Sequence, residues 1–94
     1  MKIRRLMLDV DTAIQRPTPL ELAITLENVR GVEGVNITVT EIDVETVGLD
    51  VTIEGTNLDF AMLSKVIEST GAVIHSIDVV VVGDRMVERI ARVR

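Results

Sequence analysis

From Gly34 to Asp43 the chain alternates apolar and polar residues and is rich in β-branched side chains, and from Leu49 to Gly55 it does so again. A period of two built on Val, Ile and Thr marks strands buried on one face only. Helix-patterned segments flank this pair, and a further strand-like run lies beyond each helix. The elements therefore read β-α-β-β-α-β.

Arg4 to Val10 makes the first strand, with Leu6, Leu8 and Val10 toward the core and Arg5, Met7 and Asp9 facing away. Thr18-Pro19-Leu20-Glu21 supplies a capping hydroxyl, a proline at the first helical position and a glutamate placed to close a capping box. This predicts a helix over about 19–29 whose apolar stripe is Leu22, Ala23, Leu26 and Val29. Gly31 and Gly34 punctuate the passage into the second strand. A second helix starts near Asn57 or Asp59, turns Met62, Leu63, Val66 and Ile67 inward, and stops at Gly71.

The run 71–82 is the fourth strand, with Ile74, Ser76, Asp78 and Val80 on the face away from the helices. Val82-Gly83-Asp84-Arg85 has the form of a two-residue hairpin turn, because glycine takes the positive φ that its first central position requires. A short fifth strand near Met86 to Ile90 follows from that turn. The rival is a short helix carrying Met86, Val87, Ile90 and Val93 as its stripe.

For this element order the compact solution is an antiparallel sheet in the order 4-1-3-2 with both helices on one face, a ferredoxin-like α+β arrangement. Ninety-four residues suit one domain over 1–94, with about 84–94 as a C-terminal extension. Phe60 is the only aromatic residue, so the core is aliphatic. With no cysteine there is no disulfide, thiolate nucleophile or sulfur-ligated metal. Asp9 and Asp11 interrupt the apolar stretch that a signal peptide needs and no run is long enough to span a bilayer, so the expectation is a cytoplasmic protein that engages no membrane. A net charge of -5 argues against nucleic-acid binding, and the arginines of the tail, Arg85, Arg89, Arg92 and Arg94, have no aromatic stacking residues beside them.

Strand direction brings the end of strand one, the start of strand three, the end of strand two and the start of strand four to one end of the sheet. Asp9 and Asp11, Asp50, Glu41 with Asp43 and Glu45, and His75 with Ser76 converge there. Carboxylates so gathered fit calcium or magnesium, which take oxygen ligands and need negative charge to offset dehydration. Asp9, Asp11, Asp43, Asp50 and Glu45 are the candidate metal ligands, and His75 and Ser76 the candidate ligand-binding pair. The competing reading is a solvated acidic rim that keeps strand ends from pairing with other chains. By parity with Val73, Ile77 and Val79, His75 also suits a hydrogen-bonded position at the border of the core. Arg5 and Glu54 are placed for a cross-strand ion pair.

Arg4 to Val10, Gly31 to Thr38 continuing through Glu41-Ile42-Asp43, Val51 to Gly55 and Gly71 to Asp78 together resemble the archaeal domain of unknown function 211. Val35 to Asp43 and Val73 to Asp78 are the most specific pieces of that likeness. The resemblance implies a small cytoplasmic archaeal protein with a ferredoxin-like fold, inclined to form homo-oligomers and with no established activity. The loop 11–17 departs from the lysine-proline type of loop expected at that place.

Three classes of function follow. A binding or regulatory module within an oligomer, taking a divalent cation or small ligand at the acidic sheet end, fits the carboxylates. A structural or protein-interaction module without a ligand fits the apolar edge of strand four and the arginine-rich tail. An enzyme is disfavoured, because the chain holds one histidine and neither a nucleophile-base constellation nor a phosphate loop. Regulatory domains of the ACT type share the element plan, but their glycine-rich turn after strand one is absent.

Overall fold

A computed structural model describes residues 2–92 and holds the six elements in the expected order. They are β1 (Ile3–Ala13), α1 (Pro19–Glu27), β2 (Val32–Ile42), β3 (Thr46–Gly55), α2 (Phe60–Ser69) and β4 (Val73–Val82). The sheet runs β2-β3-β1-β4, every neighbouring pair antiparallel. This is the 4-1-3-2 order with two central and two edge strands.

Local chemistry sets the helix ends. The Glu21 backbone N–H donates to the Thr18 hydroxyl at 3.1 Å, and the Thr18 N–H donates to the Glu21 carboxylate at 2.9 Å, so the capping box closes. Hydrogen bonds from the Thr18 backbone and side chain hold the Glu21 carboxyl below the usual carboxylate range. α1 ends at Glu27, two residues short of the expected boundary. Asp59 caps α2 by accepting from the Met62 N–H at 3.1 Å, and Gly71, at φ 97°, ends it in the left-handed region.

One aliphatic cluster joins Leu6, Leu8 and Val10 of β1, Leu49, Val51 and Ile53 of β3, Leu22 and Leu26 of α1, and Leu63 and Ile67 of α2. Because both helices bury residues against the same side of the central strands, the opposite face of the sheet is uncovered. The expected stripes hold with one change: Met62 is exposed, since Leu63 and Ile67 occupy the inward line of α2.

Two expectations about the C-terminal part are corrected. Within the described residues nothing after Val82 is strand or helix, so neither the fifth strand nor its helical rival forms over Met86 to Ile90; Val93 lies outside the described residues. Gly83 does turn with a positive φ of 129°. Its N–H, however, donates to the Lys2 carbonyl at 2.8 Å and its carbonyl accepts from Arg4 Nε at 2.6 Å. These bonds draw the chain inward toward β1 rather than out along the free edge of β4.

The second correction concerns parity. On β4 the register passes from Val10↔Ile74 to Asp9↔Ser76, and from Leu8↔Ile77 to Met7↔Val79, so His75 and Asp78 are each an extra residue. Ile74 therefore packs on the helix side with the core instead of on the open face. Val80 pairs with core-facing Leu6 and shares that side.

Candidate functional site

The strand ends converge as the topology requires. Asp9 stands directly across from Asp50 on the open face of the two central strands. One step further along, Gly48 lies between Asp11 on one side and Glu41 on the other. A Cβ on Gly48 would sit 3.2 Å from Thr40 Oγ1, 3.5 Å from the Glu41 Cβ and 3.9 Å from Asp11 Oδ1, so the glycine leaves a narrow gap between the two acids.

The turn joining β2 to β3 holds the other two acidic candidates and keeps them apart from this row. The Val44 N–H donates to Asp43 Oδ1 at 2.7 Å, and the Asp43 N–H donates to the Thr46 carbonyl at 2.9 Å. The Asp43 carboxylate is thus engaged in shaping its own turn. The Glu45 side chain is exposed, while its carbonyl accepts from the Ile14 N–H at 3.2 Å and ties the loop after β1 to this turn. Among the described residues no three of the His, Asp and Glu side chains are grouped so as to hold a metal ion.

His75 and Ser76 reach the same end by way of the first β4 bulge. The imidazole is 68% exposed, with Nδ1 3.9 Å from Asp11 Oδ2, so it sits on the rim rather than at the border of the core. A bulge re-aims the side chain it carries, and that is what separates His75 from the parity of its neighbours. Ser76 lies beside Asp9 in the register and donates its hydroxyl to Asp78 Oδ1 at 2.7 Å. A shallow hollow of about 250 Å³ lies nearby, lined by Ala13, Ile14, Gln15, Val44 and Glu45. It is smaller than the roughly 300–1,000 Å³ of ordinary small-molecule sites.

A second constellation occupies the opposite end of the open face. Arg5 Nε donates to Glu54 Oε2 at 2.8 Å across β1 and β3, the ion pair expected from the sequence. Arg5 Nη1 also donates to Glu88 Oε1 at 2.7 Å, which brings the tail over the sheet. The Glu88 and Glu54 hydrogen bonds raise the Arg5 pKa further, and Arg5 holds the Glu88 carboxyl below the usual range. Val81, opposite Arg5 in the register, is only 6% exposed although it stands outside the core cluster. Sequence reasoning placed Arg5 on Glu54 and missed Glu88, because two residues separated by 83 positions carry no local signal of their contact.

An open antiparallel sheet of four strands, backed on one side by two capped helices and carrying acids at one end of its bare face, defines a ferredoxin-like α+β domain. The chain belongs to the DUF211 family, described as "Uncharacterized ArCR", whose match spans residues 4–94. It is 47% identical over 88 residues to the uncharacterized protein MJ0319 of Methanocaldococcus jannaschii, covering 94% of this chain and 90% of that relative.

Proposed function

We propose that this domain is a non-catalytic, self-assembling module that forms a homo-oligomer through the free edge of β4 and the tail after Gly83. The carrying observation is the composition of that edge. Ile77, Val80 and Val82 stand on the helix side of the outermost strand and remain exposed, with Val73 and Val79 exposed beside them. An unpaired strand with a continuous apolar border is a surface for another chain, and a small domain gains from a neighbour the burial it lacks alone. The bulges at His75 and Asp78 interrupt the ladder, which favours side-chain packing over long backbone pairing at this edge. Sedimentation velocity on the full chain at micromolar concentration is the test. An assembly larger than one chain that dissociates when Ile77 and Val80 are changed to Asp supports the reading, and a monomer refutes it.

A second reading has its own observation, the direct opposition of Asp9 and Asp50. Two like charges facing one another across a ladder repel, and a divalent cation offsets that repulsion. The pair suits magnesium, which is often held by one or two carboxylates with water completing its shell, better than calcium, which takes more protein oxygens. Native mass spectrometry of the untagged chain with and without chelator reads retained ions and assembly together.

A further inference from the structure

We infer that the seam between α1 and α2 binds a small aliphatic carboxylate, with its carboxylate on Arg30 and its hydrocarbon chain along Val29, Met62 and Val66. The site belongs to the helix layer and draws on neither edge of the sheet, so it stands apart from the self-assembly proposed above.

The two helices bury their inward lines and leave their facing shoulders apart. Leu22 and Leu26 of α1 and Leu63 and Ile67 of α2 are buried against the sheet. Thr25 and Val29 stand beside Met62 and Val66 further out, and the short branched side chains do not fill the seam. The result is a groove of about 390 Å³ lined by Thr25, Asn28, Val29, Arg30, Met62 and Val66. That volume falls within the roughly 300–1,000 Å³ of ordinary small-molecule sites, unlike the hollow near the acidic end. The exposure of Met62, 46%, has its reason here, because this side chain forms a wall of the groove. Methionine is unbranched and turns about three bonds, so that wall adapts to a chain laid against it.

Polar groups select what enters. The Thr25 hydroxyl donates to the Glu21 carbonyl at 2.8 Å, and Asn28 Nδ2 donates to the Ile24 carbonyl at 3.0 Å, so both side chains are turned to the backbone of α1. Arg30 is the one charged residue of the lining, and it enters no ion pair among the described residues. A planar guanidinium binds a carboxylate through two parallel hydrogen bonds. An unpaired guanidinium beside an apolar groove is the complement of a carboxylate that carries an aliphatic body.

Local fields do not oppose an anion there. β1 and β3 are antiparallel and each helix returns along the strand before it, so α1 and α2 are antiparallel as well. A Cβ on Gly31 would lie 3.0 Å from the Asn57 carbonyl oxygen, which places Arg30 where α1 stops and α2 starts. The negative end of one helix dipole and the positive end of the other meet at that point and offset. Asp59 is turned to the Met62 N–H, from which it accepts at 3.1 Å, and Glu27 and Glu33 border the other flank of α1. From Met62 to Val66 is about 6 Å along α2. The chain that fits is therefore of medium length, and the ligand is a free acid rather than a membrane lipid.

The probe is octanoate, titrated into the full chain isotope-labelled at its methionine methyl groups and followed by nuclear magnetic resonance. Octanol supplies the same chain without the charge, and acetate the charge without the chain. The Met62 resonance, identified by its loss in Met62→Leu, is expected to move saturably with millimolar octanoate while those of Met7 and Met86 stay in place. Octanol and acetate are expected to bind about tenfold more weakly or less. Arg30→Gln should weaken octanoate about tenfold and leave octanol unchanged. Lys65→Gln removes the same charge from α2 outside the groove and should weaken neither. Arg30 and Lys65 are both exposed, so the two variants keep the fold. A Met62 resonance that stays fixed under octanoate, octanol that binds as well as octanoate, an Arg30→Gln affinity equal to that of the wild type, or equal losses in the two variants each overturn the inference. None of these outcomes bears on self-assembly.

Discussion

Arg5 of β1 and Glu88 of the tail are joined at 2.7 Å across 83 positions of sequence, and Arg5 holds Glu54 at the same time. One guanidinium therefore links the first strand, the third strand and the tail. The five donors of an arginine in a fixed fork suit it to hold two carboxylates at once.

This link carries a pH dependence of defined sign. The Glu88 carboxyl is held below its unfolded value of about 4.3, so the contact contributes fully above that pH and is lost as pH falls through the lower folded value. The Arg5 pKa is raised, which keeps its side of the pair charged across the whole range. The Arg5 guanidinium proton resonances are expected to move toward those of an unpaired arginine as pH falls through the folded value of Glu88. Glu88→Gln should show this movement for Nη1 already at pH 7, and resonances unchanged in that variant would remove Arg5 as the tether.

Leu26 is fully buried in the cluster shared by both helices, whereas Ile24, two residues away, is exposed. Leu26→Ala should cost about 2–5 kcal/mol through lost burial and a residual cavity. Ile24→Ala should change the stability of the isolated chain by less than about 0.5 kcal/mol. Urea unfolding of the two variants reads the contrast directly, and similar midpoints would reverse the assignment of the α1 faces.

Two glycines of the β2–β3 pair predict unequal outcomes. A methyl on Gly55 would run into the Gly31 carbonyl oxygen and lie 2.8 Å from Leu58 Cδ2, while one on Gly34 meets nothing within 4 Å. Gly55→Ala should lose about 1–3 kcal/mol by overpacking against backbone that cannot swing aside. Gly34→Ala should be neutral or slightly stabilising by reducing unfolded-state freedom, and thermal unfolding of both variants is the measurement.

The facing aspartates give a prediction with and without cation. Asp9→Asn should stabilise the metal-free chain by about 0.2–1 kcal/mol, the size of an unfavourable cross-strand pair relieved. If magnesium or calcium binds there, it raises the melting temperature of the wild type and not of the Asp9→Asn, Asp50→Asn double variant. Equal shifts in both proteins would assign the ion to another place and the acids to solvent.

Much of the architecture was legible because each signal was local and the signals agreed. Thr18 and Glu21 announce a helix start within four residues, and Leu6, Leu8 and Val10 announce a half-buried strand by alternation alone. β4 was less legible since Val79 to Val82 are all valine, leaving no polar residue to report which face each occupies. Its bulges appear only when the strand is laid against β1. The hairpin signal at Gly83-Asp84 was real as a turn and misleading as a strand start. Whether a turn continues into a ladder depends on where Lys2, Arg4 and Arg5 draw the chain, and those residues lie at the other terminus. At the acidic end the pairing of Asp9 with Asp50 followed from register and parity. The engagement of Asp43 with Val44 did not, because a turn's own hydrogen bonds depend on its closed shape.

The two extra residues of β4 act on the strand as paired frameshifts act on a coding sequence. His75 throws the in-and-out reading out of phase, and Asp78 restores it, so only the short stretch between them is read in the inverted frame. Ile74 and Val80 thereby share a side, although the strand between them has been offset twice. Loss of His75 or of Asp78 alone would erase its bulge and leave the other side chains of the strand on their present faces, because each is surplus to the pairing with β1. The strand therefore carries two spare residues, and shortening it at either place would straighten this edge without moving its apolar border to the other side.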